Sequence, residues 1–248
     1  EPDWGELNCN ELAVKTVQRH QKKLRRGVHR QNNFKIVLRK LRGDIGGLER
    51  RLQVVAEAGV PNYFGEQRFG IDGNNVVGGL AWMRGEARAP RRQRKGFLLS
   101  ALRSALFNET LAQRVNTEQW SLPLLGDRCQ LRGSASHFLH DGTDPEITTR
   151  SEEGDISLAL PLWGRSRGEP PARNVGYEEL CQFLEEQGLS LDYRAARLFA
   201  DDFCWRFCDD ETLQLEFSLP RGGFATAVLR ELVAYNDISR SRGEKFGD

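Results

Sequence analysis

Residues 212–220, TLQLEFSLP, set Leu213, Leu215, Phe217 and Leu219 at alternate positions against polar neighbours and end on Pro220. Period-two alternation over a run of this length predicts a strand with one buried and one wet face. At the other end of the chain, residues 34–41, FKIVLRKL, predict a second strand, with Ile36 and Leu38 on one face and Val37 and Arg39 on the other. Residues 12–19, LAVKTVQR, alternate as well and predict its partner across a basic loop. Asp44 then precedes a helical pattern, Ile45, Leu48, Leu52, Val55 and Ala56, that stops at Gly59. After the Gly222-Gly223 turn, residues 224–235 predict another helix.

The middle of the chain reads differently. Residues 74–84 and 96–120 carry apolar positions at helical spacing, short apolar pieces broken by Gly126, Gly133, Gly142 and Gly154 follow, and residues 177–186 and 193–199 predict further helices. Strands at both ends around a helix-rich middle imply an α+β protein whose sheet is built from both ends, with an insertion between Gly59 and Leu198. Two consecutive domains fit the same pattern.

The 248 residues can bury a core, and 39% hydrophobic content with 9% aromatics is that of a globular chain. No run of about eighteen apolar residues predicts a membrane span, and no leader pattern is present, so the cytoplasm is the expected location. The chain opens Glu1-Pro2-Asp3-Trp4 and its one Met is Met83, from which an N-terminal portion is expected to be absent. Cys9, Cys129, Cys181, Cys204 and Cys208 are odd in number and scattered, unlike a disulfide framework. Cys204 and Cys208 alone cannot close a four-ligand zinc site and read as small apolar residues on one strand face. No metal is expected.

The net charge of +1 conceals segregation. Between Arg19 and Arg42 stand ten Lys and Arg residues, two His and no acid, and residues 84–95 add Arg84, Arg88, Arg91, Arg92, Arg94 and Lys95 against Glu86 alone. Two such clusters are the footprint of a polyanion-binding face, since each neutralised phosphate releases condensed counterions. One cluster by itself fits a solvated basic face as well.

Four segments carry a family resemblance. They are His20-x-x-Lys23-Leu24-Arg25-x-Gly27-x-His29-x-x-Asn32-x-Phe34; Val60-Pro61-Asn62-Tyr63-Phe64-Gly65-x-Gln67-Arg68-Phe69-Gly70; Ser100-Ala101-x-Arg103-Ser104-x-Leu106-Phe107-Asn108; and Leu219-Pro220-x-Gly222-x-Phe224-Ala225-Thr226-x-x-Leu229-Arg230-Glu231. In order and spacing the chain resembles the tRNA pseudouridine synthase D (TruD) family. The resemblance implies an α+β, pseudouridine-synthase-type mixed or antiparallel sheet domain made of residues 1–58 and 199–248, interrupted by a helix-rich α/β insertion domain, the TRUD domain, at 59–198. It also implies isomerisation of a tRNA uridine, at position 13, to pseudouridine, with no cofactor, by an aspartate nucleophile acting on a flipped-out base. tRNA is the expected partner, and nothing points to an obligate protein partner, so a monomer is expected.

By the same resemblance, Phe34 would stack on the target base, Asn32 would make a polar contact with the base or the aspartate loop, and Arg230 would pair the aspartate. His20, Lys22, Lys23, Arg25, Arg26, His29, Gln67, Arg68, Arg91 and Arg92 would meet the RNA, largely at its phosphates. Tyr63, Phe64 and Phe69 would fix the junction between the two parts. The sequence departs from the family at one place: the Gly-x-Lys-Asp-Arg segment that carries the aspartate does not occur, and Asp3 has neither flank of it. The chain alone is therefore expected to be inactive, which leaves a non-catalytic tRNA-binding module as the alternative. A scaffold with solubilising basic clusters and a metal-dependent nuclease using Asp201-Asp202 and Asp209-Asp210 are further readings. Adjacent Asp residues point to opposite faces of a strand, which disfavours the nuclease.

Overall fold

A computed structural model describes residues 29–168, 170–173 and 175–237. Its first layer is a three-stranded antiparallel sheet in the order β1 (Gln31–Arg39), β9 (Thr212–Pro220), β8 (Asp201–Asp209). The register pairs Phe34 with Phe217 and Leu38 with Leu213, so the apolar positions of both strands fall on one face. That face is covered by α1 (Ile45–Ala58) and α6 (Ala225–Leu232). Leu48, Leu52 and Val55 meet Leu213, Leu215, Phe217, Leu219, Val228 and Leu232 in a single core. Asp44 caps α1 by accepting a hydrogen bond from the Gly47 N–H at 2.9 Å, and Gly59 ends it with its own N–H bonded to Val55 O. The opposite face is polar, with Lys35 and Glu216 paired at 2.7 Å.

Beyond α1 the chain forms β2 (Val60–Pro61), α2 (Asn74–Met83), α3 (Arg92–Asn116), β3 (Arg128–Leu131), β4 (His137–Leu139), α4 (Ile147–Glu152), β5 (Ile156–Leu162), α5 (Glu178–Glu186), β6 (Asp192–Ala195) and β7 (Arg197–Leu198). A second antiparallel sheet runs β4-β3-β5-β6. One core joins α3 and α5 through Leu99, Leu102, Leu106, Leu180 and Leu184, and another joins α3 to β5 through Phe64, Phe107, Leu111, Leu158 and Leu160. The two-residue ladder of β2 with β7, Val60 opposite Leu198, is where the chain leaves and rejoins the first layer.

Several expectations are corrected. Residues 193–199 are not helical but form β6 and β7, because β5 supplies them a ladder from Ala159↔Ala195 to Leu162↔Asp192. The partner of the 34–41 strand among the described residues is β9, while residues 12–19 lie outside them. Helix α3 starts at Arg92, directly after the extended Arg91 that follows Pro90, and stops before Trp120. Helix α6 stops at Leu232, where Val233 becomes extended (φ −148°, ψ 150°).

The cysteines test this arrangement. Cys204 and Cys208 lie on the outward face of β8 and are exposed rather than packed, whereas Cys129 and Cys181 are buried. Burial pushes the Cys129 thiol up from 9.0 to about 11. A Cys9→Ser variant at pH 8 is expected to yield two thiols promptly to Ellman's reagent and two more only on denaturation; four prompt thiols would contradict the fold. Because the folded pKa is the higher one, this thiol's contribution to stability is complete below about 9 and is lost as pH rises toward 11.

Candidate functional site

The segment Asn62–Gly70 leaves β2 and winds through a 3-10 turn, Glu66–Arg68, against α3. Its geometry is set by amides. Asn108 of α3 accepts a hydrogen bond from the Phe64 N–H at 2.9 Å and donates to Phe64 O at 3.0 Å, closing a two-point clamp. Asn62, 7% exposed, donates through Nδ2 to Ala195 O at 2.8 Å and through its backbone N–H to Ala196 O at 2.8 Å. A buried amide satisfied in this way fixes its segment, since each bond left unmade costs the desolvation of the group.

Arg194 of β6 ties the same place to the start of α6. Its guanidinium donates to Asn62 Oδ1 and, at 3.0 Å, to Gly222 O, while lying 4.2 Å over the Phe64 ring and 5.6 Å from that of Phe107. Burial, and secondarily the nearby Arg68 charge, pushes its pKa down to about 10. Phe64 also meets Phe224 edge-on at 5.8 Å, and Phe224 packs against both the first-layer core and the α3–β5 core. Gly65 is required here: a Cβ would fall 2.5 Å from Thr226 Oγ1 and 2.9 Å from Phe224 Cδ1. Three of the four resemblance segments, from residues 60–70, 100–108 and 219–231, therefore converge on one knot.

The expected site residues fall around it. Arg68 donates through Nε to Ser104 Oγ at 3.1 Å and lies 5.3 Å over Phe64, while part of its guanidinium reaches solvent; burial of the rest lowers its pKa. Gln67 is exposed. Phe69 and Tyr63 pack against the Phe64 cluster. Arg230 stands at the exposed side of α6 with its guanidinium 4.5 Å over the Tyr63 ring, a cation–π contact in place of the ion pair a helix surface usually offers. Burial raises the Tyr63 pKa against the opposing pull of Arg230.

Asn32 and Phe34 share one face of β1, Asn32 exposed at its end and Phe34 half-buried with its ring stacked on Phe217 at 5.4 Å and 27°. His29 is exposed, as are Arg91 and Arg92 at the start of α3. His20, Lys22, Lys23, Arg25 and Arg26 lie outside the described residues. Asp201 is engaged by Arg132 at 2.6 Å, and Asp202 occupies a left-handed conformation (φ 54°) beside a strand irregularity.

Arg194 had no sequence signal of its own. Two arginines, Arg194 and Arg197, inside the mostly apolar run Leu191–Ala200 could have raised the question of what satisfies them.

The mixed helix and antiparallel-sheet fold is that of a solved pseudouridine synthase structure. The chain superimposes on a tRNA pseudouridine synthase D from Methanosarcina mazei with a TM-score of 0.61, at 18% identity, over 93% of this chain and 75% of that one. The family described as tRNA pseudouridine synthase D (TruD) matches residues 2–90 and 87–232. The tRNA pseudouridine synthase D of Proteus mirabilis is 36% identical over 96% of this chain and 70% of its own length. That of Chromohalobacter salexigens is 42% identical over 92% and 68%. The chain belongs to the tRNA pseudouridine synthase D family, whose members are isomerases. Among the described residues, no helix is long and apolar enough to cross a membrane.

Proposed function

We propose that this chain is the tRNA-binding body of a synthase that isomerises a tRNA uridine, at position 13, to pseudouridine after flipping the base from its stack. The observation that carries the reading is the family match over residues 2–232, almost the whole chain. In this reading residues 1–58 and 199–248 form the catalytic domain and 59–198 the inserted TRUD domain. The reading draws support from β1, β8, β9, α1 and α6 sharing one core while the chain crosses out and back at the β2–β7 ladder.

The residues then take roles. Phe34 offers the ring face not stacked on Phe217 to the uracil, and Asn32, one pleat away, contacts its polar edge. Arg230 supplies the cation that keeps an aspartate ionised, with Tyr63 holding the guanidinium in place. His20, Lys22, Lys23, Arg25, Arg26, His29, Gln67, Arg68, Arg91 and Arg92 meet the RNA, and the protein acts as a monomer in the cytoplasm.

The nucleophile is the open element. Gly-x-Lys-Asp-Arg is absent from the 248 residues. The one Asp-Arg pair, Asp127-Arg128, has both carboxylate oxygens engaged, one by Arg114 and the other by the Leu124 N–H at 2.8 Å. This chain alone is therefore inactive in the proposed reading, and a polypeptide that also carries the motif is active.

Tritium release from tRNA labelled at uridine C5 checks this, because carbon–carbon bond formation at C5 expels that hydrogen. The chain alone should retain tRNA on a filter yet release no tritium, and the longer polypeptide should do both. Release by the chain alone would sink the assignment of the nucleophile, and absence of tRNA retention would sink the whole reading.

A further inference from the structure

A cleft of about 620 Å³ opens between α2 and α3, well apart from Asn32, Phe34 and Arg230 in sequence. Its walls carry Arg88, Arg91 and Arg94, the amides of Asn75 and Gln93, and Phe97; no acidic side chain lines it. Phe97 is 60% exposed, unusual for an aromatic at the mouth of a cleft that its neighbour Leu98, 3% exposed, helps to close. Among the described residues, Arg88, Arg91 and Arg94 form no ion pair, whereas other arginines do, among them Arg114 with Asp127 and Arg150 with Asp144 and Asp155. Lys95, beside them, instead lies 5.5 Å over the Trp82 ring and adds its charge to the rim.

Cations left unpaired around an exposed ring ask for a ligand with both negative charge and a flat face. Single-stranded RNA has both at every nucleotide. A duplex offers phosphates but keeps its bases stacked, and its deep major groove cannot be entered by side chains. Phe97 and Ser104 are seven residues apart on α3, so they share one side of the helix about 10 Å apart. Ser104 is the residue that holds Arg68, so the cleft and the Arg68 guanidinium lie along one side of α3.

We propose that the cleft between α2 and α3 takes a single-stranded RNA segment, with one unstacked base laid on Phe97 and the flanking phosphates paired to Arg88, Arg91 and Arg94. This rests on the tRNA-binding reading above and adds to it a subsite that accepts an unpaired nucleotide, distinct from the place assigned to the target uridine. The sequence RRQRKGFLL, residues 91–99, thereby combines phosphate binding and stacking within two helical turns.

The test uses fluorescein-labelled octauridylate, an RNA hairpin duplex, and intact tRNA. Phe97→Ala should weaken octauridylate binding about tenfold, the loss of one base–aromatic stack, without altering the salt dependence. Arg94→Gln should lower the slope of log affinity against log salt by about 0.7, one phosphate contact on a single strand. Affinity for the duplex should change less than about twofold in Phe97→Ala. Phe97→Tyr should bind as the unaltered chain does, and Phe97→Leu should resemble Phe97→Ala.

Unchanged octauridylate binding in Phe97→Ala would overturn the subsite, as would full recovery in Phe97→Leu, which would reduce the contact to apolar burial. If the unaltered chain binds no tRNA, the underlying reading falls and the subsite with it. If it binds tRNA and Phe97→Ala is indistinguishable from it on both probes, the subsite alone falls. Unchanged thermal unfolding of Phe97→Ala, expected for so exposed a side chain, separates these outcomes from misfolding.

Discussion

Gly59→Ala is expected to lower the free energy of unfolding by about 4 kcal/mol, combining the cost of a backbone conformation almost confined to glycine with that of overpacking. Gly59 sits at φ 69°, ψ −164°, and a Cβ there would lie 2.6 Å from Leu198 O and 3.2 Å from Leu198 C. Those are backbone atoms of the neighbouring crossing, so no rotamer change relieves them; the ladder itself would have to spread. Gly85→Ala supplies the comparison, with a similar φ of 73° but nothing within 4 Å of the added atom, and about 1 kcal/mol is expected there. Urea midpoints measured side by side would decide it. Equal losses at the two positions would mean that φ alone, and not the close approach to Leu198, sets the requirement for glycine.

Arg194→Met is the second large effect, expected at about 3 kcal/mol, since it strips the donor from the buried Asn62 amide oxygen and from the exposed Gly222 carbonyl, and a cation from two rings. Asn62 Oδ1 and Gly222 O would be left without their Arg194 donor, and Phe64 and Phe107 would lose the guanidinium that covers them. Arg194→Lys keeps the charge but not the planar group whose Nε and Nη2 both reach Asn62 O at 3.4 Å while its carbon lies 4.2 Å over the Phe64 ring, and should recover less than half of the loss. Denaturant unfolding provides the measurement, and full recovery by Lys would show that charge, rather than geometry, holds the knot. Because Asn62, Phe64 and Gly222 belong to segments that identify the family, the variant is also expected to weaken tRNA retention. Phe64→Leu, which keeps an apolar residue and loses only the ring, should have the smaller effect of the two.

What could be read from the sequence followed from periodicity wherever one face alone decides an element. TLQLEFSLP became β9 with the alternation unchanged, and Asp44 and Gly59 bounded α1 because a cap and a positive-φ glycine are local chemistry. Residues 193–199 are ambiguous in sequence, because Ala195, Ala196, Leu198 and Phe199 satisfy a helical period as well as a strand. The choice was made by β5, more than thirty residues earlier in the chain, whose edge needed a partner. The candidate site shows the same division. Its segments were recognisable one by one, but the bonds between them, Asn108 to Phe64 and Arg194 to Asn62 and Gly222, join residues 28 to 132 positions apart. No local pattern records such pairs, and Arg194 in particular is legible only once its acceptors are known.

The β2–β7 ladder has a consequence for how such a protein can change over time. Val60 and Leu198 face one another, so the excursion between them starts and finishes at the same spot on the first layer. Ends already held together make the length of what lies between them nearly irrelevant to the cost of closing it, as loop closure grows only with the logarithm of chain length. Whole substructures can be enlarged, trimmed or exchanged at that doorway while β1, β9, β8, α1 and α6 keep their core. The same doorway allows an engineer to replace residues 61–197 by a short turn and ask whether the first layer stands without them.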